Sequence, residues 1–308
     1  MSAWTFDQIP DLQGRHAVVT GANSGLGYWT ALHLARRGAH VVLACRSRAR
    51  ADEAAERIVT ASAGAHVGVM ELDVADLDSV KAFAAHYAEQ HHQLHVLCNN
   101  AGLALPPLSH TRHGFEAQFG TNFLGHFALT GHLLPILRAT PGARVVHTAS
   151  IAHRFGRIDF DDPHFRSRPY RDMAAYGQSK LANLMFAFEL QRRLTRAGID
   201  ALSIAAHPGY AATNISASNK LGSTRVGQAM VRLGDRLLGQ TAEAGARPIL
   251  LAATSMQARG GDYWGPRGLM EMRGAPRRVG STRAARDEAA AARLWTMAEN
   301  LTDVRYLS

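Results

Sequence analysis

Short apolar runs alternate with longer segments of helical period along almost the whole chain. Runs at residues 16–20, 40–45, 66–72, 94–98, 144–148 and 200–206 are rich in Val, Leu and Ala. Such runs predict strands covered on both faces, because a strand with one wet face would alternate polar and apolar positions. Between them, residues 26–37, 49–61, 79–90, 114–137 and 176–196 space their apolar positions three and four apart, the period of an amphipathic helix. A helix at 242–255, a short strand within 260–266 and a closing helix at 286–299 complete the series. Strand alternating with helix predicts an α/β fold: a Rossmann-type doubly wound parallel sheet with helices on both faces and right-handed crossovers, in a single domain.

Two stretches break the rhythm. Residues 151–175 mix Phe155, Phe160, Phe165 and Tyr170 with acids, arginines and two prolines, and read as a long loop with little regular structure. Residues 210–240 are polar at first and then amphipathic, with Ile215, Leu221, Val226 and Met230 as the apolar positions of a lid. Both follow strand C-terminal ends, the edge at which open α/β sheets bind ligands.

Composition narrows the class without naming a function. With 46% apolar and 19% charged residues the chain is an ordinary globular one. No signal peptide and no uninterrupted apolar run of spanning length is visible, so a soluble cytoplasmic protein with no membrane span is expected. The two cysteines, Cys45 and Cys98, end predicted strands and are expected as buried free thiols. A formal charge of +9 admits nucleic acid as a partner, but the arginines are scattered and no nucleic-acid motif accompanies them.

The candidate chemistry starts at the first strand. Thr20-Gly21-Ala22-Asn23-Ser24-Gly25-Leu26-Gly27 lies between an apolar run and a helix start. There, Gly21 allows a tight turn, while Gly25 and Gly27 let backbone approach a pyrophosphate at the positive end of the helix. A second candidate is Tyr176 with Lys180, four residues apart and therefore on one helix face. A tyrosine of pKa ~10 is a poor acid or base near neutrality, and lowering it by about three units takes ~4 kcal/mol. An ammonium at ~4 Å in an effective dielectric of 20 supplies ~4 kcal/mol.

Together these segments resemble the short-chain dehydrogenase/reductase family. Thr20 to Gly27 is similar to its T-G-x-x-x-G-x-G, Asn99-Asn100-Ala101-Gly102 to its N-N-A-G, and Tyr176 to Lys180 to its Y-x-x-x-K. Asn122, Ser150 and Pro208-Gly209 with Thr213 fall where that family keeps its other motifs. Ala44-Cys45-Arg46, the long gap from Ser150 to Tyr176, and His207-Pro208-Gly209 resemble the retinol-dehydrogenase-like branch. The likeness covers roughly residues 14–266, leaving 267–308 as a C-terminal extension.

The resemblance implies an alcohol–carbonyl oxidoreductase in which Tyr176 moves the proton, Lys180 lowers the tyrosine pKa and holds the nicotinamide ribose, and Ser150 contacts the reacting oxygen. It implies that Asn122 anchors a water that relays protons from Lys180. Gly21, Asn23, Ser24, Gly25, Leu26, Gly27, Asn100, Ala101, Gly102, Pro208, Gly209 and Thr213 would line the cofactor, with Asp73 at the adenine amino group. It also implies a small-molecule substrate and a homo-oligomer.

The choice of dinucleotide has a physical argument. An NAD site wants an acid at the end of the second strand for the ribose 2′-hydroxyl, whereas a 2′-phosphate wants arginine. Cys45 stands at the acid's position and Arg46 follows, so NADP(H) is expected in preference to NAD(H), with Arg46 on the phosphate. A protein that keeps the fold for nucleotide sensing or partner binding, without turnover, is the alternative. His91 and His95 have a spacing that metal ligands use, but they straddle a helix-to-strand junction without a neighbouring Cys, so no metal site is expected.

Overall fold

The structure is a computed structural model that describes residues 4–210 and 240–307. One eight-stranded sheet organises it, in the order β3-β2-β1-β4-β5-β6-β7-β8. The strands are β1 (His16–Thr20), β2 (His40–Cys45), β3 (His66–Glu71), β4 (Val96–Asn99), β5 (Ala143–Thr148), β6 (Ala201–Ala206), β7 (Tyr263–Pro266) and β8 (Pro276–Arg278). All pairings are parallel except β7 with β8. The chain starts at β1, builds outward to β3, then crosses back to place β4 beside β1. That reversal leaves a crevice at the C-terminal ends of β1 and β4, where Val19 pairs with Cys98.

The helices are α1 (Gly25–Arg36), α2 (Arg48–Ala61), α3 (Leu77–Gln90), α4 (Ala117–Phe119), α5 (Gly125–Ala139), α6 (Asp172–Arg196), α7 (Ala242–Thr254) and α8 (Glu288–Thr302). Neighbouring strand residues face opposite layers: Val18 and Val42 join the core under α3, α5, α6 and α8, while Val19 and Leu43 join the core under α1, α2 and α7. This two-sided burial is why the strands are continuous apolar runs. Cys45 and Cys98 are buried free thiols, as expected. Among the described residues no helix is long and apolar enough to cross a membrane.

Three segments differ from the sequence expectation. The helix expected over 114–137 is interrupted: α4 passes into a wider π turn, Gly120–Leu124, before α5 begins. Gly125 shows why the path is constrained, since a Cβ there would stand 1.8 Å from the Val74 carbonyl oxygen. Residues 151–175 hold more structure than a loop: a 3-10 turn covers Ile151–Phe155, and α6 starts at Asp172, four residues before Tyr176. Asp172 supplies the acidic first turn that favours a helix start there. β8 was not expected; it is short and basic and has no apolar signature, and it is held because Arg277 and Arg278 pair with Gly265 and Trp264 of β7. The lid residues 211–239, including Thr213, Ile215, Leu221, Val226 and Met230, lie outside the described residues.

Candidate active site

The glycine turn is built by close contact. Gly21 has φ +66°, and a Cβ on it would sit 3.0 Å from Ala101 Cα. A Cβ on Gly27 would meet the Gly21 oxygen at 2.4 Å and Asn100 Nδ2 at 2.6 Å. Only glycine fits there, which brings the turn after β1 against the turn after β4. Thr20 locks the two together: its hydroxyl accepts from the Asn100 and Ala101 backbone N–H groups, each at 2.9 Å, and Asn100 Nδ2 donates to its carbonyl at 2.9 Å. Ser24 precedes α1 without a side-chain capping hydrogen bond, so the first turn, which includes Gly25, Leu26 and Gly27, keeps its donors for another acceptor. Asn23 sits in the same turn, and its backbone N–H reaches the buried Cys45 sulfur.

At the end of β2, burial pushes the Cys45 thiol up, so the residue in the acid's place carries no charge. Arg46 follows with an exposed side chain, its Nη1 4.0 Å from Asp73 Oδ2. Asp73 is anchored on its own turn, accepting from Ala75 N at 2.9 Å while its N–H donates to Ser79 Oγ at 2.9 Å. An exposed pair at that separation contributes little to stability, which leaves the guanidinium available to an anion.

Across the crevice, α6 carries Tyr176 and Lys180 on one face. Lys180 is buried, its Nζ donates to the Thr148 carbonyl at 3.0 Å, and burial lowers its pKa to about 8. Its Nζ lies 5.7 Å from the centre of the Tyr176 ring. Burial pushes the Tyr176 phenol above its ordinary value, and a hydrogen bond with Ser150 pulls the other way. Burial is the larger of the two causes, so the phenol of the free protein stays above its ordinary value.

Ser150 lies two residues past β5 and starts the 3-10 turn, its hydroxyl accepting from Ala152 N at 3.2 Å. Glycines again set the approach of this turn to α6: a Cβ on Gly156 would stand 2.2 Å from the Gly177 oxygen, and one on Gly177 would stand 3.2 Å from Gly156 Cα. Asn122 occupies the π turn. Its Oδ1 accepts from Leu103 N at 2.7 Å, and its Nδ2 donates to the Leu103 oxygen at 3.0 Å and Ser179 Oγ at 2.9 Å. The side-chain amide is thus committed to protein partners. Gly102 is wedged beside it, and a Cβ there would lie 2.9 Å from Asn122 Oδ1 and 3.7 Å from Lys180 Nζ.

Pro208 and Gly209 leave the end of β6 toward the same edge. Gly209 has φ +68° and its N–H donates to His207 Nδ1 at 3.2 Å. His207 is fully buried, with Nε2 3.2 Å from Glu271 Oε2, and Arg154 holds the other Glu271 oxygen at 2.8 Å. Both partners keep the Glu271 carboxyl below its usual range, His207 more than Arg154. Sequence reasoning singled out neither Glu271 nor Gly156, because each acts through a distant neighbour that spacing does not reveal.

The histidine pair at 91 and 95 does not converge. His95 is buried, its Nδ1 accepts from His16 N at 3.0 Å, and burial lowers its pKa to about 4. His91 packs on Tyr87 instead, with ring centres 4.6 Å apart.

The short chain dehydrogenase family profile matches residues 15–223. The chain is 38% identical to human retinol dehydrogenase 13 over 94% of its length and 85% of that protein. It is 44% identical to mouse retinol dehydrogenase 12 over 70% of its length and 66% of that protein. A solved structure of an uncharacterised protein from Mycobacterium paratuberculosis is 42% identical, superimposes with a TM-score of 0.82, and shares 99% of both chains. A Beutenbergia cavernae structure with bound NADP is 27% identical with a TM-score of 0.65, over 82% of this chain and 95% of that one.

Proposed function

Because the chain belongs to the short-chain dehydrogenase family, on its retinol-dehydrogenase-like branch, we propose that it uses NADP(H) to interconvert a bulky apolar alcohol and its aldehyde or ketone. Alcohol–carbonyl oxidoreduction comes with the family; the cofactor and the residue roles rest on the site. The observation that carries the reading is the convergence of Tyr176, Ser150 and Lys180 on the crevice that the glycine turn lines. A nicotinamide dinucleotide bound there supplies or accepts the hydride.

The chain's residues fit that group. Gly21 and Gly27 leave no room for a side chain and Gly25 has φ +56°, so with Asn23, Ser24 and Leu26 they form a bare backbone turn at an uncapped helix start suited to a pyrophosphate. Arg46 takes the 2′-phosphate and Asp73 the adenine amino group, while Asn100, Ala101 and Gly102 line the ribose side. Pro208 and Gly209 would flank the nicotinamide and Lys180 would hold its ribose, while Thr213, which the resemblance adds to this set, lies outside the described residues. The NADP bound by the Beutenbergia cavernae relative is compatible with this choice.

In reduction, Tyr176 donates its phenolic proton to the carbonyl oxygen while Ser150 donates a hydrogen bond to the same oxygen. The burial that raises the Tyr176 pKa keeps the phenol protonated, the form that reduction consumes. Oxidation runs the transfer backwards and needs the phenolate, which the Lys180 ammonium stabilises. Asn122 ties the π turn to Ser179 and Leu103, beside the Lys180 head; the water that the resemblance assigns to it would have to use groups other than its amide. An apolar substrate is supported by the names of the relatives and by two exposed side chains, Leu103 and Phe155, on the segments that carry Gly102 and Ser150.

The test is a panel of retinoid-like, steroid and fatty carbonyls and alcohols followed by NADPH absorbance, with Tyr176→Phe beside the wild type. Turnover is expected to fall by about 10²- to 10⁴-fold in the variant while NADPH still binds. NADPH binding with no turnover across the panel would favour nucleotide sensing instead.

A further inference from the structure

His126 lies on α5, one turn beyond Asn122, and is fully buried among the groups that join the two halves of the crevice. Its Nδ1 is 3.0 Å from the Asn122 carbonyl oxygen and its Nε2 is 2.9 Å from Thr20 Oγ1. A carbonyl oxygen only accepts, so the ring proton sits on Nδ1 and Nε2 is left to accept. Thr20 Oγ1 already accepts from Asn100 N and Ala101 N, so its own hydrogen is free to donate. The His126 nitrogen at 2.9 Å is closer than the alternative acceptor, the Cys98 oxygen at 3.3 Å. Every polar atom of the ring is thus used, in one tautomer and one direction. Burial, with the Lys180 charge nearby, lowers the ring's pKa to about 4, which keeps that neutral tautomer throughout the neutral range.

We propose that His126 is a positioning residue that fixes the glycine turn and the Asn122–Lys180 side of the crevice relative to each other, through one hydrogen bond on each ring nitrogen. The Nε2 side orients the Thr20 hydroxyl, which in turn holds the Asn100 and Ala101 backbone against Gly21. The Nδ1 side holds a carbonyl inside the π turn, where the regular helical ladder is broken and Asn122 faces Gly102 and Lys180. The same α5 turn is tied further to β4: Thr130 Oγ1 donates to the His126 oxygen at 2.7 Å and accepts from Asn99 Nδ2 at 3.0 Å. His126 touches neither the reacting atoms nor the phosphates; it acts through Thr20 and Asn122. The inference rests on the reading of this crevice as an NADP(H) site.

Its two bonds separate experimentally, because an asparagine amide superimposes on the Nδ1 side of histidine and a glutamine amide reaches the Nε2 side. His126→Phe, His126→Asn and His126→Gln are compared for NADPH Kd by fluorescence titration, and for kcat and carbonyl KM. The Phe variant is expected to lose about tenfold in NADPH affinity and about tenfold in kcat, the size of a buried hydrogen bond on each side. Asn should restore kcat to within about threefold of wild type but not the Kd, and Gln should restore the Kd but not kcat. A purely space-filling role would give the Asn and Gln variants the same profile, and that result overturns the proposal, as does a Phe variant equal to wild type. Should the Phe variant fail to fold, the split between Asn and Gln still decides. A wild-type protein that neither binds NADPH nor turns over substrate would sink the cofactor reading and this inference with it; wild-type activity with an unsplit series would sink His126 alone.

Discussion

The two edges of the sheet are both crowded with polar side chains, yet they are built in different ways. At the C-terminal edge each buried polar group named in the crevice reaches across to another element: Thr20 to Asn100, Asn122 to Leu103 and Ser179, and Lys180 to Thr148. At the N-terminal edge the first residues of β1, β2 and β3 are histidines stacked ring on ring, His16 on His40 at 5.0 Å and His40 on His66 at 4.5 Å. Interlocked hydrogen bonds fix positions to fractions of an ångström, whereas stacked rings fix only a layer. The first edge is suited to holding a ligand, and the second to closing the end of the sheet.

If that contrast is right, volume at the C-terminal edge is the most sensitive quantity in the molecule. Gly27→Ala would put a methyl group 2.4 Å from the Gly21 oxygen, and we expect NADPH affinity to fall by more than about 100-fold, equivalent to about 3 kcal/mol. Calorimetric titration checks it, and retained affinity would mean that the turn is soft. Charge comes next. Arg46→Asp should weaken NADPH by about 10- to 100-fold and spare NADH, read as the ratio of kcat/KM for the two cofactors. An unchanged ratio would remove Arg46 from the phosphate.

The N-terminal edge should respond to acid alone. His95 has its folded pKa lowered to about 4 from 6.5, so the unfolded chain binds its proton first and stability is lost as pH falls below 6.5. By pH 5 the loss attributable to this residue is about 2 kcal/mol. His95→Asn keeps an acceptor for His16 N and removes the titration, so its urea midpoint should fall less between pH 7 and pH 5 than that of the wild type. A change in NADPH Kd in this variant would show that the two edges are not independent. The smallest effect expected is at Lys180. With its pKa near 8 in the free protein, the ammonium is lost as pH rises through 8, and by pH 9 kcat/KM should stand about tenfold below its value on the acid side. A profile flat to pH 9 would mean that the bound nucleotide restores the lysine's charge.

The sheet was legible because both-sided burial leaves an unbroken apolar run, and this pattern located β1 through β6 within a few residues. The candidate site motifs could be picked out for a different reason: Gly21, Gly25 and Gly27 stand at fixed spacing in one turn, and Tyr176 and Lys180 at fixed spacing on one helix. Partners that meet through space were not legible. Glu271 reaches His207 from a segment whose residues Met270 and Glu271 both have positive φ, and nothing local announces that pairing. The distance from Lys180 to the Tyr176 ring was also beyond spacing, since both residues share a helix face whether their heads lie near or far apart.

The π turn at Gly120–Leu124 carries one more consequence. Widening a single turn inserts about one extra residue into the helical path and so advances the phase of everything after it by roughly 100°. The apolar stripe runs through the turn all the same, with the Phe119, Phe123 and Phe127 rings in successive contact and Phe123 and Phe127 both on Phe186. Asn122 reaches Leu103 and Ser179 beside the crevice, while Phe127 packs on Phe186, Trp295 and Tyr306 in the core. Removing one residue from this turn would rotate α5 by roughly 100° against α4 and take Phe127 out of the stripe that Phe119 and Phe123 lead into.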